Sequence, residues 1–142
     1  MPGDTAAVSP GGAGYSGTPL SRKLGIREGW TVALEGAPEG FTIGALPAGV
    51  TTRRSAGGRA DLTVWFVCNR ATLERRIANM SGRAVSCGLW IAWPKRTSPL
   101  ASDLSDEVVR RTALANGLVD VKVCAIDADW SGLRFNERKP SP

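Results

Sequence analysis

Two near-continuous apolar runs, Asp61-Leu-Thr-Val-Trp-Phe-Val-Cys68 and Gly88-Leu-Trp-Ile-Ala-Trp-Pro-Lys95, constrain this chain more than anything else in it. A strand that is apolar on both sides needs cover on both faces, which a sheet with one solvated face does not provide. Helical patterns follow each run. Asn69 stands as an N-cap before Leu73, Ile77 and Met80, which fall at helical spacing. Residues 105–117 open on Ser-Asp-Glu, carry arginines later and exit at Gly117, the order that a helix dipole favours. Strands alternating with helices predict an α/β fold: a mostly parallel sheet, right-handed crossovers and helices on both faces.

The weaker elements fill in around this frame. Thr18 as N-cap and Pro19 at the first helical position predict a short helix that Gly25 stops. Residues 30–34 and 50–54 predict short strands, and residues 38–45 a short helix weakened by Gly40 and Gly44. Residues 119–126 and 133–135 predict a closing antiparallel hairpin with Asp127, Asp129 and Trp130 at its tip. Residues 1–17 are mostly Gly, Pro, Ala, Ser and Thr, too little apolar surface to offset ordering entropy, so a flexible arm is expected there. One domain over residues 18–136 and a frayed tail over 137–142 complete the reading of the 142 residues.

Composition removes several chemistries. The chain has no histidine, which excludes the commonest general base, Ser-His-Asp and Cys-His catalysis, and mixed Cys/His zinc sites. Its three cysteines, Cys68, Cys87 and Cys124, are far apart and lie in or at the ends of apolar runs. They are therefore expected to be buried structural thiols, not redox or metal ligands. The net charge of +5 comes from scattered arginine and lysine pairs without interleaved aromatics, so nucleic acid is not an expected partner. With no long apolar run and no charged-then-apolar start, neither a membrane span nor a secretory signal is expected, and the cytoplasm is the expected location.

The order of elements, ending in a strand with Trp93-Pro94-Lys95, a helix and a hairpin, resembles a shortened class I methyltransferase fold, which is Rossmann-like. More closely, four stretches resemble a bacterial family known as domain of unknown function 3052. They are Thr18-Pro-Leu-Ser-Arg-Lys-Leu-Gly-Ile26, Ala37-Pro-Glu-Gly-Phe41, Leu89-Trp-Ile-Ala-Trp-Pro-Lys95, and Gly117-Leu-Val-Asp-Val-Lys-Val-Cys124 with Trp130-Ser-Gly-Leu-Arg134. That family implies no activity. The methyltransferase resemblance implies a last strand inserted between its two predecessors, and a glycine turn after the first strand that seats S-adenosylmethionine. Here that turn holds Pro38, which removes a donor, and Glu39, which sets a negative charge where the methionine carboxylate would lie. The acid expected after the second strand is replaced by Arg53 and Arg54, a candidate anion-binding pair. No S-adenosylmethionine or other cofactor is therefore expected.

Ligands of open α/β sheets bind beyond the carboxyl ends of the strands. The candidate binding rim is accordingly Glu35, Glu39, Trp93, Lys95, Asp127, Asp129, Trp130 and Ser131. Lys95 with Asp127 and Asp129 would be the catalytic group if the chain were an enzyme acting on a small anionic substrate, and a mere ion pair tying strand ends otherwise. Two aspartates alone make a poor metal cage, so no metal is expected. The reading that emerges is a non-catalytic binding domain taking a small ligand or protein partner at this rim. The alternatives are the enzyme just described, in effect a degenerate methyltransferase, and a homodimeric interaction module.

Overall fold

In the computed structural model, which describes residues 18–55, 57–85 and 88–138, the two apolar runs become adjacent parallel strands at the centre of a six-stranded sheet. The strands are β1 (Thr31–Glu35), β2 (Thr51–Arg53), β3 (Leu62–Phe66), β4 (Leu89–Pro94), β5 (Leu118–Ala125) and β6 (Trp130–Glu137), in the spatial order β2-β1-β3-β4-β6-β5. The first four are parallel, with Val64 opposite Trp90 and Trp65 opposite Ile91 in the central pair. β6 runs antiparallel between β4 and β5. This is a Rossmann-like sheet with a C-terminal antiparallel pair, the strand insertion that the resemblance implies.

Alternation along the strands divides the interior in two. Trp65, Ile91, Leu133 and Phe135 face α2 (Arg70–Met80) and α3 (Asp106–Leu114), where Leu73, Ile77, Val109 and Ala113 close the first core. Val64, Phe66, Trp90 and Ala92 face the other way, onto Leu24, Ile26 and Ile43. That second face carries one helical turn, α1 (Leu20–Lys23), and the long connection from β1 to β2. Trp90 sits fully buried there, and its indole N–H donates to the Leu24 carbonyl at 3.0 Å. A buried ring with its one polar atom satisfied ties α1 to the sheet centre.

Both long helices start as their caps predict. The Asn69 side chain accepts from Thr72 N at 2.8 Å, and Ser105 accepts from Val108 N at 3.2 Å. A second donor at the start of α2, Arg70 N, is met from a distant loop by the Asp103 carboxylate at 2.8 Å. The expectations at α1 were less accurate: its N-cap is Pro19, without a side-chain cap, and not Thr18.

Two further expectations are corrected. Residues 38–45 form turns and extended backbone, not a helix. Pro38 and the left-handed Gly40 and Ala45 break the run, and the segment's carbonyls are satisfied by a side chain described below. Between α2 and β4, Ser81–Val85 forms a 3-10 turn that continues α2. β6 is far longer than residues 133–135, and it carries the fold past residue 136. Arg138 still bonds the end of α3, donating from its backbone to Gly117 and from its guanidinium to Leu114. The expected arm (1–17), most of the expected tail (139–142) and Cys87 lie outside the described residues. Of the other thiols, Cys68 is exposed at the end of β3, against expectation, and Cys124 is half-buried. Among the described residues, no helix is long and apolar enough to cross a membrane.

Candidate functional site

At the carboxyl rim, the β6 tip is joined to the end of β4 through the backbone. Lys95 N donates to the Asp129 carbonyl at 2.8 Å, just beyond the Pro94–Trp130 pair that ends the ladder. Lys95, Asp127 and Asp129 therefore share one rim, as expected. Their side chains do something else. The Asp127 carboxylate turns back on its own loop, accepting from Asp129 N at 2.8 Å and Trp130 N at 2.9 Å. An aspartate whose oxygen accepts the amides two and three residues on makes an Asx turn, which fixes the reversal at the hairpin tip. Among the described residues, no carboxylate lies within 4.0 Å of the Lys95 ammonium. The expected Lys95–Asp127 ion pair is absent, and Asp127 is taken up by the turn.

The remaining rim candidates separate into groups. Trp130 is buried against Phe66, ring centroids 5.1 Å apart and nearly perpendicular, so it belongs to the second core. Glu35, at the end of β1, pairs with Arg76 of α2 at 3.3 Å. The Arg76 guanidinium also lies over the Trp65 ring, 5.7 Å from its centroid. Glu39 is exposed in the turn beyond. Trp93, Lys95 and Ser131 stay together: Ser131 is the register partner of Trp93, and all three line a groove of about 540 Å³. Arg96 and the first residues of α3, Asp106 and Glu107, line it too. Those two acids are partly answered by their own helix, Asp106 by Arg110 and Glu107 by Arg111 at 3.8 Å. The groove is thus of mixed charge, lined by Lys95 and Arg96 together with two carboxylates.

Arg53 and Arg54, the candidate anion pair, both bind backbone carbonyls. Arg53 donates to Ser55 at 3.1 Å and to Arg59 at 2.7 Å. Arg54 reaches across to the turn after β1 and donates to the carbonyls of Ala37 at 2.9 Å, Pro38 at 2.8 Å and Phe41 at 3.5 Å. Its guanidinium draws the turn's acceptors together, whereas a cofactor site would present amide donors. Gly36 enters this turn at φ 74°, and a Cβ there would stand 2.8 Å from the Phe66 carbonyl. Glycine lets β1 leave the sheet hard against β3. Sequence reasoning missed Arg54 as the organiser of this loop, Asp103 as a cap and Arg76 as the partner of Glu35. Each acts across a separation of many residues, and nothing local in the sequence marks it. Among the described residues, no group of three or more potential ligands could hold a metal.

The chain is similar to magnesium protoporphyrin IX methyltransferase from Synechocystis PCC 6803, solved with bound SAH. The two share 12% identity at a TM-score of 0.45, over 67% of this chain and 54% of that one. The chain therefore spans about half the length of that enzyme. No family model matches the chain, and neither does any curated protein.

Proposed function

We propose that the chain is a binding domain on a methyltransferase-like sheet, that it does not transfer methyl groups, and that it takes a small ligand or a protein partner in the groove between the β4–β6 rim and α3. The observation that carries this reading is Arg54, whose guanidinium occupies the carbonyls of the β1 turn where a relative would seat its cofactor. The groove supports the positive half: Ser131 sits on the β4–β6 ladder and Lys95 just past its end, and both line the groove with no ion pair at Lys95. An enzyme using Lys95 with Asp127 would draw on a carboxylate whose Oδ1 already holds the hairpin turn. The same reading takes the chain for a member of the bacterial family domain of unknown function 3052, on the sequence stretches quoted above, and for a cytoplasmic protein. Calorimetry with S-adenosylmethionine and S-adenosylhomocysteine tests it. No binding is expected in the micromolar range; micromolar affinity, about −8 kcal/mol, overturns it in favour of the enzyme.

A further inference from the structure

The chain passes from β2 to β3 through residues 54–61, which carry Gly57-Gly58 and Arg59. Three arginines collect on this connection. Arg53, the last residue of β2, donates through Nε to the Ser55 carbonyl at 3.1 Å and through Nη2 to the Arg59 carbonyl at 2.7 Å. Arg83, in the 3-10 turn after α2, reaches back 25 positions and donates through Nη1 to the Gly58 carbonyl, also at 2.7 Å. Two guanidinium groups thus hold consecutive carbonyls of one short loop, and Arg59 adds a third from the loop itself. No acid answers them. Among the described residues, no carboxylate oxygen lies within 4.0 Å of any of the three, whereas Arg70, Arg76, Arg110 and Arg111 each have one. The acid nearest in sequence, Asp61, turns away to accept from Thr31 N at 2.8 Å.

The donors are unequally spent. Arg53 commits two of its nitrogens to the loop, Arg83 commits Nη1 alone, and the exposed Arg59 side chain commits none. Like charges gathered this closely repel, and an incoming carboxylate relieves the repulsion while accepting the paired donors of a guanidinium. Ser55, Gly57, Gly58 and Arg59 are all exposed. The surface therefore suits a chain laid across it, not a small molecule that needs enclosure. No residue from 51 to 61 is aromatic, which leaves nothing on which nucleobases could stack. We propose that this arginine cluster is a docking surface for an acidic segment of a protein partner. Arg59 and Arg83 take its aspartate or glutamate carboxylates, while Arg53 holds the loop in shape.

β2 lies at the edge of the sheet, three strands from the groove at β4, so this surface can fail or stand without that one. The test titrates fluorescently labelled hexaglutamate with the full chain and follows anisotropy, with hexalysine and a dodecathymidylate strand as comparisons. Hexaglutamate should bind in the high-micromolar range at low salt and more weakly as salt rises, and hexalysine should not bind. Arg59→Glu, at a side chain with no partner to lose, should keep the circular dichroism of the parent and weaken binding roughly tenfold. Arg83→Gln should weaken it about threefold. Arg27→Glu, the same change of net charge at an exposed residue outside the cluster, should leave it nearly unchanged. Absence of hexaglutamate binding up to millimolar concentration overturns the proposal. An equal loss in Arg27→Glu also overturns it, by reducing the effect to net charge. Tighter binding of dodecathymidylate than of hexaglutamate overturns it in favour of nucleic acid.

Discussion

Asp127 shows how a residue chosen for its chemistry turns out to be spent on geometry. Its carboxylate accepts two amides of its own turn, and a lost cap of this kind costs about 1 kcal/mol. Asp127→Ala should therefore lower the melting temperature measurably, while Asp127→Asn, which keeps the accepting oxygen, should restore most of it. Lys95→Ala, with no carboxylate in reach, should stay within about 0.5 kcal/mol of the parent in urea titration. If Lys95→Ala proved the more damaging, the assignment of roles at the rim would be reversed. The thiols make a second contrast. Burial pushes the Cys124 thiol up, and Lys23 and Lys122 nearby pull partly the other way. Folding holds this thiol protonated beyond the pH at which the unfolded thiol ionises, so the unfolded state binds fewer protons there. Stability should fall as pH rises above the ordinary thiol range, and Cys124→Ala should flatten that fall. Iodoacetamide labelling read by mass spectrometry should reach exposed Cys68 well before Cys124.

Among the elements, the edge strand β5 carries the clearest liability. Val119, Val121 and Val123 are 39%, 55% and 56% exposed, on a strand whose outer side has no neighbour in the sheet. Unpaired edges of this composition invite another chain. Two features blunt this one: the register slips between Asp120 and Lys122, leaving Val121 extra in the ladder, and Lys122 keeps a charge on the strand. The Lys122 ammonium donates to the Lys23 carbonyl at 3.1 Å, so it is anchored as well as solvated. Lys122→Val should convert the edge into a continuous apolar strip and shift light-scattering mass upward with concentration relative to the parent. An unchanged mass would mean that the bulge alone protects the edge. β3, β4, α2 and α3 were legible in the sequence because each is specified locally, by an apolar run or by a cap with helical spacing. Residues 38–45 were misread because propensity over a few residues cannot register an arginine in the next strand that fixes their carbonyls. Lys95 and Ser131 were placed on the rim correctly from strand ends alone. The grouping of Arg83 with Arg53 and Arg59 was invisible, since Arg83 reaches the loop across 25 positions with no motif.

At the scale of the whole molecule, the two faces of the sheet are covered by unequal means, and their stabilities should differ accordingly. The α2–α3 side is closed by two capped helices with deeply buried contacts from Leu73, Ile77, Val109 and Ala113. The other side relies on one helical turn and a connection whose shape depends on Arg54. Regions with little helix and exposed hydrogen bonds open at lower free energy than the core. Arg54→Ala removes the charged donor from the Ala37 and Pro38 carbonyls, a loss of about 1–2 kcal/mol discounted for the exposure of the guanidinium. Hydrogen exchange by mass spectrometry should then quicken in peptides spanning residues 36–43. It should change little in peptides from α2 and α3, because the hydrogen bonds of Arg54 go to residues 37, 38 and 41. Trp90 is the residue that could defeat this independence, since its ring is buried in the second core while its strand neighbours Leu89 and Ile91 face the first. If Arg54→Ala quickened exchange equally on both faces, the sheet would be a single cooperative unit, and the loop would be as much a part of the core as the helices. Faster exchange confined to residues 36–43 would mean that the loop over the second core opens while the sheet stays closed.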